Sequence, residues 1–291
     1  MERAAAFIIG FGILGRKQYG GPGMPGWKAF AEPMLKGIDP SIVQTSHDPK
    51  SSTYESIVTL GATKVLVPSN EVANSIERLT ALVTAHPNPS LTKRLLEPIL
   101  LPLWSLSSWQ RGNEQVELRY RKPATKLLKT LLQLSSSNEP SKKCGKHSTS
   151  TNLSLIIQNL SFSGRSKPFE PEWIFGASDS GEIQIQEPLH NGDRQVPNLA
   201  AIDRAADSFI ELIKTTPDLE AEISNLFMGL CTNWLTNSDE NSPPSILTHA
   251  KAEEPRTEIE HRLIEATVLQ KMISKIPEKL VRDSQQVLNL V

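Results

Sequence analysis

The sequence predicts an all-α chain, an irregular solenoid of stacked helix pairs that carries one small β-hairpin. Three observations predict it. Apolar residues recur at three- and four-residue steps in several separate stretches, the spacing of one helix face. Prolines, 21 in 291 residues, punctuate those stretches. A period of two appears clearly in one place only, where Trp173-Ile-Phe175 and Ile183-Gln-Ile185 flank a Gly- and Ser-rich turn.

Taken in order, the first sixty residues (1–60) read as a divergent or poorly ordered segment. They open on an apolar run, Ala4 to Leu14, and continue through Gly20 to Gly26, a Gly-Pro stretch that predicts a loop. The helical-repeat domain is expected over 61–291. Ser69 is the expected N-cap of a helix with Val72, Ile76, Leu79 and Val83 inward, ended by Pro87 and Pro89. Ser90 opens a second helix, apolar on nearly all sides and interrupted by Pro98 and Pro102, so it is expected to be buried and kinked. Pro123 is placed in the first turn of a third helix carrying Leu127, Leu128, Leu131, Leu132 and Leu134. Residues 135–151 read as a flexible loop, followed by a short apolar piece, Leu153 to Leu160.

Beyond the hairpin, Ile202, Ala205, Ala206, Phe209, Ile210 and Ile213 mark a helix that stops before Pro217. Thr216-Pro217 is expected to start the next one, with Ile223, Leu226, Phe227, Leu230, Trp234 and Leu235 inward. Residues 237–256 form a second loop. The last long helix has Ile259, Leu263, Ile264, Val268 and Met272 as its stripe. Amphipathic helices in succession without a strict repeat fit the HEAT or armadillo type of array. Val287, Leu288, Leu290 and Val291 carry no polar cap, so further chain or a partner is expected there.

Composition limits the function. Lys plus Arg total 31 against 32 for Asp plus Glu, a net charge of −1. Direct nucleic-acid binding through an overall excess of cations is not expected. Two cysteines, Cys144 and Cys231, cannot build a disulfide framework. The Ala4–Leu14 run is shorter than the ~20 residues a spanning helix needs, so stable membrane insertion is not expected. A cytoplasmic and nuclear location is the expectation.

Two short motifs have the spelling of chemical sites. Gly10-Phe-Gly12-Ile-Leu-Gly15 has the G-x-G-x-x-G spelling of a dinucleotide site, which requires a strand before it and a helix directly after. The following Gln18-Tyr-Gly-Gly-Pro-Gly breaks that requirement, and the acidic residue sought downstream is represented only by Glu32, directly before Pro33. Cys144 and His147 have ligand spacing but lack two companions, and Cys231 falls in an apolar stripe. No nucleophile–base motif, Walker loop or kinase signature is found. No catalytic, cofactor-binding or metal residue is therefore assigned, and an enzyme is not expected.

Charge distribution singles out one region. Arg119, Arg121, Lys122, Lys126, Lys129, Lys142, Lys143 and Lys146 are opposed by Glu139 alone, a local +7 that leaves −8 on the remainder. Three readings stand: a solvated helix face with a linker, a docking patch for an acidic protein partner and, behind these, contact with RNA. Trp104 and Trp109, five residues apart, cannot share a face of one regular helix.

The segment His86 to Trp109, with its Pro-Ile-Leu-Leu-Pro-Leu-Trp core, resembles a block in a fungal family of HEAT-repeat proteins. These are the RNA polymerase II assembly and nuclear import factors, related to an animal transport-and-Golgi-organisation protein. Trp173 to Ile185, Leu263 to Met272 and Gln286 to Leu290 agree with the likeness, which spans about residues 65 to 291. The resemblance implies a non-enzymatic scaffold whose partners are polymerase subunits or assembly and import factors, with no cofactor. Family members are longer, with further repeats and C-terminal domains, and functions residing there do not carry over. The competing expectations are a secretory-pathway role and, behind it, a nucleotide-cofactor enzyme using Gly10, Gly12 and Gly15.

Overall fold

A computed structural model describes residues 2–43, 64–110, 112–136, 151–165, 172–188, 199–238 and 254–281. The chain is mostly helical with one small four-stranded antiparallel sheet. It divides into two compact units, Met1–Leu131 with Phe162–Arg194 and Leu132–Ser161 with Gln195–Val291.

In the first unit, residues 2–43 are largely helical, although the sequence sets this stretch apart from the helical domain. Helix α1 (Glu2–Phe7) runs into wide π-type turns over Ile8–Leu14. Short helix α2 (Lys17–Gly20), a turn at Gly21–Met24, a second π-type segment (Trp27–Ala31) and α3 (Glu32–Lys36) follow. The expected loop is thus confined to a few residues, and Pro25 and Gly26 already belong to helical backbone. Leu14, Trp27, Leu35 and Ile38 are buried, and α1 and α3 both pack on α4 (Ser69–Ala85).

Helix α4 has the predicted inward face, with Val72, Ile76, Leu79 and Val83 all buried. Its cap is Pro68 rather than Ser69; the Ser69 hydroxyl donates instead to Glu182 Oε2 at 3.2 Å. Asn88, not Ser90, caps α5 (Pro89–Leu96), its Oδ1 accepting from the Leu91 amide at 3.0 Å. Pro98 sits in a 3-10 turn (Glu97–Ile99) that separates α5 from α6 (Leu100–Ser107). Pro102 introduces no second break because it lies in the first turn of α6, where an amide hydrogen has no intrahelical acceptor. Leu100, Leu103, Trp104 and Leu106 are buried, as an all-round apolar surface requires.

Pro123 lies in the first turn of a helix, as expected, but that helix continues directly from earlier helical turns. Helix α7 (Glu114–Val116), capped by Asn113, passes through a π-type turn (Glu117–Arg121) into α8 (Lys122–Ser136). Proline inside a helix leaves one carbonyl without its amide and crowds another. The wider turn directly ahead of Pro123, with the Lys122 amide bonding back to the Glu117 carbonyl, makes room for it.

The expected lone hairpin is the centre of a larger sheet. Strands β1 (Val65–Val67), β2 (Gly164–Arg165), β3 (Trp173–Ala177) and β4 (Ile183–Gln186) stand in the order β1-β4-β3-β2, every pair antiparallel. Trp173, Phe175, Ile183 and Ile185 alternate inward, and β4 lies against α4.

In the second unit, α9 (Asn152–Gln158) buries Leu153, Ile156 and Ile157, and Thr151 Oγ1 caps it by accepting from the Ser154 amide. Helix α10 (Leu199–Thr215) buries Ile202, Ala206, Phe209, Ile210 and Ile213. Thr216 does not cap the next helix; its hydroxyl donates to the Leu212 carbonyl at 2.6 Å, and α11 (Glu220–Ser238) starts two residues after the left-handed Asp218. Helix α12 (Glu254–Lys275) packs against α9, α10 and α11, burying Ile264, Val268 and Met272. Trp234, Leu235 and Ile259, expected inward, are 40%, 55% and 67% exposed. Lys271 and Lys275 both reach Asp207 Oδ1, at 2.7 and 2.6 Å, and these hydrogen bonds hold its carboxyl below the usual range.

Candidate functional site

The basic segment becomes concrete on the helix formed by α7, the π-type turn and α8. Arg119 pairs with Glu182 at the β3–β4 turn, and its guanidinium carbon lies 5.9 Å from the centre of the Tyr120 ring. Tyr120 itself is buried and donates its hydroxyl to the Ser69 carbonyl at 2.8 Å. Burial first, then the Glu182 charge, pushes that phenol up to about 12. Arg121 pairs with Glu117 one turn earlier. These two arginines are therefore engaged in holding the fold.

Lys122, Lys126 and Lys129 follow at four- and three-residue steps, which puts them along one helix face. Lys122 and Lys126 are exposed and Lys129 half-buried, and none forms an ion pair among the described residues. Lys142, Lys143 and Lys146 lie outside the described residues. Of the eight cations, three make a row of accessible charge and two do not. The sequence shows Glu117 four residues before Arg121 but not the partner of Arg119, which stands 63 positions away.

The glycine motif has a different geometry from a dinucleotide site. Helix, not strand, precedes it, and Gly10, Gly12 and Gly15 lie in or beside the wide turns of Ile8–Leu14. The Gly15 amide donates to the Gly10 carbonyl at 2.7 Å and is not free to hold a phosphate. A Cβ on Gly10 would stand 2.8 Å from His86 Cβ, whereas one on Gly12 would meet nothing within 4 Å. Gly10→Ala is accordingly expected to destabilise by about 1 kcal/mol or more, and Gly12→Ala to stabilise by about 0.5–1 kcal/mol, from helix propensity. Paired urea titrations read the difference; equal midpoints would contradict this packing.

Two other hollows belong to the first unit. One, about 480 Å³, lies between α1, α3 and α4 with Ala6, Ile9, Phe30 and Met34 as its apolar wall and Glu77 and Arg78 beside them. The other, about 470 Å³, contains Trp27 and Arg94, whose guanidinium carbon lies 5.5 Å from the indole centre and whose NH2 group donates to the Leu14 carbonyl at 2.7 Å. Both hold carboxylates and cations in equal number, so neither selects one sign of charge.

Among the described residues no cluster of three or more His, Cys, Asp or Glu could hold a metal ion. Cys144 and His147 lie outside them, and Cys231 is half-buried, with burial pushing its thiol up and away from thiolate chemistry. Among the same residues no helix is long and apolar enough to cross a membrane. Trp104 is fully buried on α6 while Trp109, just past its end, is half-buried.

Fold and surface together define a mostly helical chain with a small sheet and an accessible basic helix face. In comparisons with protein-family models, curated proteins and solved structures, the chain matches none of them.

Proposed function

We propose that the chain is a non-enzymatic helical scaffold resembling the factors for RNA polymerase II assembly and nuclear import, acting in the cytoplasm and nucleus. In this reading its helices are the N-terminal part of a HEAT-like array and the small sheet is an addition to it. The observation that carries the reading is the row Lys122, Lys126 and Lys129, along one helix face and in no ion pair among the described residues. Lys142, Lys143 and Lys146 extend the same charge along the sequence. Such a row attracts an acidic partner surface and orients it, raising the rate of encounter more than the depth of binding. The partners are polymerase subunits or assembly and import factors.

The test is affinity capture from a cell extract with the full chain, its Lys122, Lys126, Lys129→Glu variant and its Lys142, Lys143, Lys146→Glu variant. Each reversal is expected to lower recovery of acidic partners by about tenfold at low salt, with a smaller loss at high salt. Thermal unfolding of the first variant should match the parent, since these side chains hold no ion pair among the described residues. Recovery unchanged by either variant across salt concentrations would end the docking role.

A further inference from the structure

We infer that the N-terminal helical segment is a peripheral docking surface for an anionic lipid bilayer. An apolar run is expected to turn inward, yet Phe7, Ile8 and Phe11 are 49%, 63% and 56% exposed. They are also held outward. The Phe7 and Phe11 rings stack with centroids 5.7 Å apart and planes 8° from parallel, and His86 meets both edge-on. Tyr19 and Met24 add further exposed apolar surface in the same stretch.

Charge identifies what this ridge fits. From Arg3 to Ala31, between Glu2 and Glu32, the sequence holds Arg3, Arg16, Lys17 and Lys28 and no Asp or Glu, which leaves a net −5 on the remainder of the chain. Arg16, Lys17 and Lys28 are exposed. Exposed aromatic and aliphatic side chains followed closely in the sequence by exposed cations are what an interfacial segment needs, the rings entering the acyl boundary and the cations meeting lipid phosphates and carboxylates. The run is too short to cross the bilayer, so the contact is superficial. A second copy is disfavoured because self-association would oppose Arg16, Lys17 and Lys28 to their own equivalents. A protein partner would have to bring its own acidic surface to these cations, whereas an anionic bilayer offers charge and apolar depth together.

The experiment is flotation of the full chain with phosphatidylcholine vesicles, with and without about one-third phosphatidylserine. The parent should float with the anionic vesicles and remain behind with the neutral ones. Phe7→Ser with Phe11→Ser should abolish flotation, and Arg16→Glu with Lys17→Glu should weaken it at least about tenfold. If the first variant fails to fold, the second decides, since Arg16 and Lys17 are surface residues. Lys122, Lys126, Lys129→Glu should float as the parent does, which separates this surface from the proposed docking row. No flotation of the parent, flotation indifferent to both N-terminal variants, or flotation lost only with the α8 variant each overturns the proposal. So does a Phe7- and Phe11-dependent dimer that ignores vesicles.

Discussion

Trp173→Ala is expected to destabilise the first unit by about 3–5 kcal/mol, the range for emptying a large aromatic site. The Trp173 side chain is fully buried at the start of β3. Phe162 and Phe175 meet it edge-on, at centroid distances of 6.1 and 5.2 Å, an arrangement that favours the ring quadrupoles as well as burial. Its indole N–H donates to Ser41 Oγ at 2.8 Å, tying the sheet to the 3-10 turn at Pro40–Val43. Alanine would remove all three interactions at once and leave a cavity among residues fixed by neighbouring strands. Since whole domains are stable by only about 5–15 kcal/mol, the urea midpoint read by far-ultraviolet circular dichroism should fall steeply. Trp173→Phe keeps most of the packing and should cost about 1–2 kcal/mol, mainly the hydrogen bond. Trp234→Ala, at a 40% exposed position, is the control and should shift the midpoint little. A Trp173→Ala midpoint equal to that control would mean that the sheet does not rest on this ring.

The strand bearing Trp173 was legible because Trp173, Phe175, Ile183 and Ile185 alternate over enough residues to show a period of two. Its outer neighbours were not. Val65–Val67 has three residues and Gly164–Arg165 two, too short for any period to register. They are strands because of pairings such as Val65 with Gln186 and Gly164 with Ile174, which join residues outside any short window of the sequence. Helical stripes suffered from a different limit. Spacing correctly placed Val72 to Val83 and Ile202 to Ile213 on single faces. It also placed Trp234, Leu235 and Ile259 on inward faces, but periodicity says which way a residue points and not how far the neighbouring helix reaches.

The candidate site was legible as a charge count and no further. Eight cations against one acid marked the region, yet Arg119 and Arg121 are engaged by Glu182 and Glu117 while Lys122, Lys126 and Lys129 are not. Composition also misplaced the first forty residues. A Gly- and Pro-rich stretch suggests loop, but Gly20 packs against the Leu14 backbone and Gly26 against Ile13, approaches that a Cβ would block, and these hold the segment compact between buried Leu14 and Trp27.

Nothing in the sequence marks Asp39, a single carboxylate in a polar stretch, yet substituting its partner should have the second-largest effect. Asp39 is fully buried. Its Oδ1 accepts from the Ser41 amide at 3.0 Å, and its Oδ2 lies 3.3 Å from the Arg165 guanidinium of β2 as an ion pair without hydrogen-bond alignment. Arg165→Met would leave the carboxylate buried with one hydrogen bond and no countercharge. Removing one member of a buried pair costs about 3–5 kcal/mol, and the lower figure is expected here because the Arg165 side chain is 31% exposed. Asp39→Asn should cost less, about 1–2 kcal/mol, since the amide oxygen still accepts from Ser41 and no charge is stranded in the core. The double variant Asp39→Asn with Arg165→Met removes both charges together. It should therefore be more stable than Arg165→Met alone, an inversion that simple loss of two contacts cannot produce. Urea midpoints for the four chains in this cycle read the coupling directly. If the double variant is instead the least stable, by the sum of the single costs, the Asp39 carboxylate is not held by Arg165 and the turn at Pro40–Val43 is fixed by its hydrogen bonds to Ser41 and Trp173.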